Sequence, residues 1–278
     1  MTCEQLKNIF DEYKNNSTKL PYANPVDDGQ SYGGWVSNFH IHRFNDNEMM
    51  KLDLQQESDL FLLFVLSVAW SRSGRWENSA FFVSYLKLIK GLTNMDLVSN
   101  WINNELRGNF EVLSKRYVEE EKNTLVLGND NHADNNGARC EISLRNDILS
   151  SVKVLFQNWE SIKQSLEQSN INNNYMIFIN KMRSIDGLGP TKNGVETKMS
   201  MKILLILREL RIQEIFSNIP GELCCVPDAR VKEAAKQISD LHLCSSNLFE
   251  GHIKNSKIIY QRFGDWYDVP LFAFDDLK

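Results

Sequence analysis

The sequence predicts an all-α fold, and three observations predict it. Apolar residues recur at helical spacing through most of the chain, with no clear run of the alternation that marks a half-buried strand. The stretch Leu60 to Trp70 is apolar on all sides, as a central helix is, and too short to span a bilayer. Between two helical patterns stands Ile185-Asp186-Gly187-Leu188-Gly189-Pro190. It has the composition of a tight hairpin, because glycine adopts backbone conformations that residues with a Cβ avoid. The 278 residues are 42% hydrophobic and 24% charged, enough for one large domain or two lobes around a sizeable core.

Taken in order, residues 1–20 begin with a weak helical pattern through Leu6, Ile9, Phe10 and Tyr13. Residues 21–48 hold Pro21, Pro25, Gly29, Gly33 and Gly34 and read as an irregular loop packed down by Trp35 and Phe39. His40 and His42 alternate as on a strand, but no further ligand stands at metal-binding spacing. Asp53 to Trp70 is the buried helix. Ser71 to Arg75 breaks it, with Arg72 and Arg75 as surface arginines that can meet a phosphate. Trp76–Lys90, Asn94–Arg107 and Phe110–Glu121 are further helices. Residues 122–141 have almost nothing to bury, so an exposed, mobile insertion is expected there. Their acidic residues are not spaced as a calcium loop requires.

Helices resume from Ile142 to Glu167, pause at Asn170–Asn174, and continue from Tyr175 to Ser184 into the hairpin. Thr197 to Phe216 is the clearest helix of the chain. Met199, Ile203, Leu204, Leu207, Leu210 and Ile215 keep helical spacing, and Thr197 suits an N-cap. Ile219-Pro220-Gly221 ends it. Asp228 caps a helix from Ala229 to Leu241. A short helix through Ile253, Ile258, Ile259 and Tyr260 precedes an aromatic end with Phe263, Trp266, Tyr267, Phe272 and Phe274.

Charge and cysteine usage narrow the function. The formal charge is -5 and the pI about 5.6, so any contact with nucleic acid must come from a local basic face. Five cysteines, Cys3, Cys140, Cys224, Cys225 and Cys244, show no metal-binding spacing. An odd count without a signal peptide favours a reducing intracellular compartment, the cytoplasm or, in a eukaryote, the nucleus. No metal, cofactor or membrane partner is expected.

The chemistry gathers around the hairpin. Unpaired N–H groups at a helix start favour an anion such as a phosphate. Lys198 at the mouth of the following helix and Asp228 beyond it make an amine nucleophile and its carboxylate partner. Lys192, nearer the glycines, Lys202, one turn further in, and Lys181, before the hairpin, are alternatives to Lys198.

Gly187-Leu188-Gly189-Pro190 leading to Lys198, then Val226-Pro227-Asp228, resembles the helix-hairpin-helix DNA glycosylase superfamily. Within it the similarity is nearest to the archaeal 8-oxoguanine DNA glycosylases. These too have a longer hairpin, a lysine-headed apolar helix and a Pro-h-Asp-h-Arg-Val segment, where h is apolar. Here that segment is Pro227-Asp228-Ala229-Arg230-Val231, one residue shorter between proline and aspartate. Thirty positions separate Lys198 from Asp228, close to the archaeal spacing. The resemblance covers roughly residues 55–263.

The resemblance implies an all-α fold of two helical lobes, with a helix-hairpin-helix motif and a cleft between the lobes. Residues 1–54 would pack on the C-terminal lobe, 55–184 would form one lobe with the insertion near 122–141, and 185–278 would carry the hairpin and the other lobe. It implies a monomer that excises an oxidised purine, 8-oxoguanine first, from double-stranded DNA. The same enzyme would then nick the strand as a lyase through a lysine Schiff base. Lys198 would be the nucleophile and Asp228 the group that stabilises the cationic sugar. Gly187, Leu188, Gly189 and Lys192 would hold a backbone phosphate. Trp76, Tyr260 and Trp266 are candidates for the base pocket.

Three departures stand beside the resemblance. The loop over residues 190–197 is longer than in the wider superfamily. Lys202 occupies the position where the archaeal enzymes carry an aromatic that stacks on the base. The cysteine cluster of the iron–sulfur glycosylases is absent. Two further readings share these residues: a helix-hairpin-helix protein that binds DNA without chemistry, and an N-glycosidase of free nucleosides or nucleotides. The hairpin favours the DNA readings, the acidic pI the last one.

Overall fold

The computed structural model describes residues 1–16, 38–41, 48–73, 79, 82–83, 86–87, 90–104, 146–191 and 193–277. Among them the chain is helical except for one antiparallel ribbon, in which Asn38–Ile41 pairs with Glu48–Lys51. The ribbon replaces part of the irregular loop expected over 21–48. Strands of four residues are too short to raise an alternation above a background of proline, glycine and aromatics. The pairing sets Phe39 opposite Met50 and His40 opposite Met49. His42, the helix expected at Phe110–Glu121, the segment 122–141 and most of Trp76–Lys90 lie outside the described residues.

By its internal contacts the chain divides into two compact units, Ser37–Glu160 and Met1–Val36 with Ser161–Lys278. In the first, the Glu57–Ser73 helix is buried on every face, from Phe61 to Leu66 without any exposed surface. Such burial is worth roughly 1.5–3 kcal/mol for each large apolar side chain. The Met95–Asn104 and Asn146–Gln157 helices pack against it. Trp159 stands edge-on to Phe61 and Phe64, ring centroids 5.1 and 5.2 Å away, and its indole N–H donates to Glu57 Oε1 at 2.9 Å.

The helical stretch expected from Ile142 to Glu167 is two helices, Asn146–Gln157 and Trp159–Ile171. Asn158 separates them. Its side-chain Nδ2 donates to the Val154 carbonyl at 2.9 Å, and its backbone N–H is shared at 3.2 Å between Val154 and Leu155. A short amide side chain competes with the helix backbone in this way.

The other unit, which includes Met1–Val36, resumes at Ser161 and so takes in residues 161–184, which the sequence grouping placed with the middle segment. Ser169 Oγ accepts the Phe178 N–H at 2.9 Å, which joins the Trp159–Ile171 and Met176–Ser184 helices. The Tyr175 hydroxyl donates to Asn218 Oδ1 and ties that pair to the chain beyond the hairpin. The Lys198–Ile212 helix is the spine of this unit, with Met199, Ile203–Leu207 and Leu210 buried. It stops short of the expected Phe216, because Glu214 at φ +55° turns the chain and Ile215 N–H returns to the Leu210 carbonyl.

Two other boundaries differ for readable reasons. The expected Ala229–Leu241 helix covers only Ala229–Ala235, yet Ile238 and Leu241 remain buried in the turns beyond it, which prolongs the apolar period. The Phe249–Phe263 helix is longer than the short one expected. It packs through Gly251, Asn255 and Ser256, buried residues that a search for apolar spacing passes over. The first helix, Cys3–Asn16, lies on these C-terminal elements. Cys3 N–H donates to Asp240 Oδ1 at 2.7 Å, and Phe10 packs with Val269, Ala273 and Trp266. Among the described residues no helix is long and apolar enough to cross a membrane.

Candidate functional site

The Met176–Ser184 helix ends in the hairpin by folding its own donors inward. The Ile185 carbonyl accepts from Leu188 N–H at 3.0 Å and Gly189 N–H at 2.9 Å. Gly187 has φ +87°, a conformation that strains any residue with a Cβ. At Gly189 the need is space, since a Cβ would stand 1.8 Å from the Arg183 carbonyl oxygen. Leu188, 1% exposed, anchors the turn in the core. Two of the donors expected to hold a phosphate, Leu188 and Gly189 N–H, are therefore used within the hairpin. Lys192 lies outside the described residues.

A second small turn comes next, with Gly194 N–H on the Thr191 carbonyl at 2.7 Å and Thr191 N–H on the Val195 carbonyl at 2.9 Å. Thr197 occupies the N-cap position of the Lys198–Ile212 helix, but its hydroxyl donates back to the Leu188 carbonyl at 3.3 Å. The helix start thus has no side-chain cap. Glu196 accepts from both Arg183 and Ser200 and so ties the hairpin to the helix. The Arg183 guanidinium lies 4.2 Å from the centre of the Phe249 ring.

Asp228 is partly exposed and caps the Ala229–Ala235 helix, its Oδ1 accepting the Val231 N–H at 3.0 Å. Lys198, the expected nucleophile, is exposed at the first helical position. One turn in, Lys202 is only 6% exposed. Burial pushes its amine down to about 8, opposed by the carboxylates of Asp228 and Asp268 and assisted by the charges of Arg208 and Lys198. Lys202 and Asp228 thus stand within electrostatic reach of one another.

Beside them is a buried ionic cluster. Arg208 Nη1 donates to Asp268 Oδ1 at 3.0 Å, and Glu209 Oε1 lies 3.4 Å from Arg208 Nε. Asp268 Oδ1 also accepts the Val226 N–H at 2.8 Å, which fixes the stretch of chain leading to Asp228. Burial raises the Asp268 carboxyl above the usual range, against the pull of Arg208 and the Val226 N–H. Burial also pushes the Cys224 thiol up to about 12 and Cys225 well above its ordinary value, so neither supplies a thiolate at neutral pH.

Of the base-pocket candidates, Trp76 lies outside the described residues. Tyr260 lies over the backbone of Gly221, and its hydroxyl donates to Asp265 Oδ1 at 3.1 Å. Trp266 packs on Phe10, ring centroids 5.5 Å apart. Both rings are thus used in packing. Arg208, Glu209 and Asp268 escaped the sequence reading, although a signal existed. Lys202, Arg208 and Glu209 interrupt an otherwise apolar run on a helix that buries nearly its whole circumference. Charged residues at such positions are rarely buried unless paired. Among the described residues no group of three or more His, Cys, Asp or Glu is placed to hold a metal ion. No protein-family model, curated protein or solved structure matches the chain.

Proposed function

We propose that this chain is a helix-hairpin-helix DNA glycosylase with lyase activity, acting on an oxidised purine in duplex DNA, with 8-oxoguanine the first substrate to test. One observation carries the reading. A partly exposed aspartate, Asp228, is fixed at a helix start within electrostatic reach of a lysine on the helix that leaves the Gly187–Gly189 hairpin. A glycosylase of this type needs those two groups. A neutral amine attacks C1′ of a nucleotide taken out of the stack, and a carboxylate steadies the positive charge on the sugar.

The hairpin supports the same reading in a modified form. Its N–H groups at Leu188 and Gly189 serve the turn itself. The anion-binding end is then the start of the Lys198–Ile212 helix, which has no side-chain cap and carries the exposed Lys198. A contact there positions the DNA backbone and reads no sequence.

The test is a single-turnover assay on a duplex carrying one 8-oxoguanine, with borohydride added to a parallel sample. The expected result is release of the base, a nick at the same site, and a covalent protein–DNA adduct. A folded protein that releases no base from 8-oxoguanine or other oxidised-purine duplexes, and forms no adduct, overturns the reading. Base release without a nick or an adduct leaves the glycosylase and removes the lyase, with Asp228 activating a water.

A further inference from the structure

We propose that Asp268, held by the buried Arg208, is the positioning residue of this site: through the backbone at Val226 it sets where Asp228 presents its carboxylate. The inference rests on the glycosylase reading above and names what aligns its carboxylate. Asp268 is buried and Asp228 partly exposed, so only Asp228 can itself meet a substrate.

The segment that carries Asp228 has no regular structure of its own. Cys225, Val226 and Pro227 stand between the short turn Gly221–Leu223 and the Ala229–Ala235 helix. Proline has no N–H, and side chains from elsewhere in the chain take the other two. Cys225 N–H donates to Ser256 Oγ at 3.0 Å, on the Phe249–Phe263 helix. Val226 N–H donates to Asp268 Oδ1 at 2.8 Å. The Val226 carbonyl in turn accepts the Asp228 N–H at 2.9 Å, and Asp228 Oδ1 accepts the Val231 N–H at 3.0 Å. Val226 thus bonds Asp268 on one side and Asp228 on the other.

Asp268 is fixed independently of that loop. The same Oδ1 accepts from Arg208 Nη1 at 3.0 Å, and Arg208 is buried on the Lys198–Ile212 helix that leaves the hairpin. A continuous line of hydrogen bonds therefore runs from that helix through Asp268 and Val226 to Asp228. Tyr267, the residue before Asp268, has φ +53°, where a residue with a Cβ is strained. Its ring is buried, with the Arg208 guanidinium 5.9 Å from its centre. Such strain persists only where the surrounding structure over-determines it.

A buried ion pair is by itself weak evidence for stability, because well-packed apolar residues often serve as well. The bond to Val226 gives this pair a second use. A carboxylate that meets charge developing on a sugar has little positional tolerance. A displacement of about 1 Å in a reacting group can cost on the order of a hundredfold in rate.

The test removes the one bond that links the ion pair to the loop. Val226 is replaced by its α-hydroxy analogue, which turns the N–H into an ester oxygen and keeps the side chain, Asp268 and Arg208. Single-turnover base release from an 8-oxoguanine duplex is measured over a range of enzyme concentrations, in the parent and in an Asp228→Asn background. The expected result is a maximal rate lowered by about ten- to a hundredfold, with the half-saturating concentration unchanged. Little further loss is expected in the Asp228→Asn background, because the two changes act through one group. Asp268→Asn, whose amide oxygen still accepts the Val226 N–H, should keep more of the rate than Asp268→Ala. The ester decides the matter even where these two variants fail to fold. An unchanged maximal rate, or a loss equally large in the Asp228→Asn background, overturns the assignment and leaves the glycosylase reading standing. Absence of base release from the parent itself overturns both.

Discussion

At the scale of single residues, Asp228 carries two duties that substitution separates. It caps the Ala229–Ala235 helix through Val231 N–H, and it supplies negative charge beside Lys202. Asn caps a helix about as well as Asp, so Asp228→Asn keeps a melting temperature near that of the parent, whereas Asp228→Ala costs about 1 kcal/mol in addition. In an assay of base release, Asp228→Asn is expected to lower kcat by a hundredfold or more, roughly 3 kcal/mol of transition-state stabilisation. Unchanged turnover would reduce Asp228 to a cap. The hairpin glycines differ in kind. A methyl at Gly187 meets open space and suffers only from φ +87°, a strain of about 1–3 kcal/mol. A methyl at Gly189 meets the Arg183 carbonyl at 1.8 Å. Thermal unfolding should therefore rank Gly189→Ala well below Gly187→Ala, and equal midpoints would contradict the packing described for the turn. The need for glycine at both positions was legible from Gly-Leu-Gly-Pro alone. The state of Lys202 was not, because which face of a helix a lysine occupies depends on what packs against it.

At the scale of elements, the helices that were read best are those whose own sequence decides them. Glu57–Ser73 is built around the apolar run Leu60 to Trp70, and Lys198–Ile212 keeps its apolar period to the end. Those read less well are decided by partners: the ribbon by cross-strand pairing, the break at Asn158 by one side-chain amide, and Phe249–Phe263 by close packing through small residues. The last helix carries His252, 4% exposed, with a buried Nδ1 that meets no hydrogen-bond partner. Burial, and then the charge of Lys232, hold its imidazole below the ordinary value of 6.5, with Glu196 pulling the other way. Linkage sets the sign. The unfolded chain takes the proton first as pH falls, so the stability His252 contributes is complete above about 6.5 and is lost below it. Urea midpoints measured from pH 7 to pH 5 should fall, with one proton accounting for at most about 1.4 kcal/mol per pH unit. His252→Leu should flatten that slope. A slope unaltered by the substitution would show that other groups drive the acid loss.

At the scale of the whole molecule, charge limits how the proposed enzyme would meet DNA. With a formal charge of -5 the chain as a whole repels a polyanion, so binding has to be local and made of few contacts. The start of the Lys198–Ile212 helix is such a place. It has an exposed lysine, no side-chain cap, and the positive end of a helix 15 residues long. Each phosphate neutralised releases counterions, and the slope of log affinity against log salt is about -0.9 per contact on duplex DNA. A protein using two to four phosphates would then show a slope of about -2 to -4, far shallower than that of a generally basic binder. Lys198→Gln should weaken affinity evenly across sequences and reduce the slope by about 1. That outcome fits a Lys198 that holds the DNA backbone. An unchanged slope would take Lys198 out of the interface. If the folded protein shows no duplex binding even at low salt, the substrate is no polymer. The same amine and carboxylate would then act on a free nucleoside or nucleotide, the reading that the acidic composition by itself prefers.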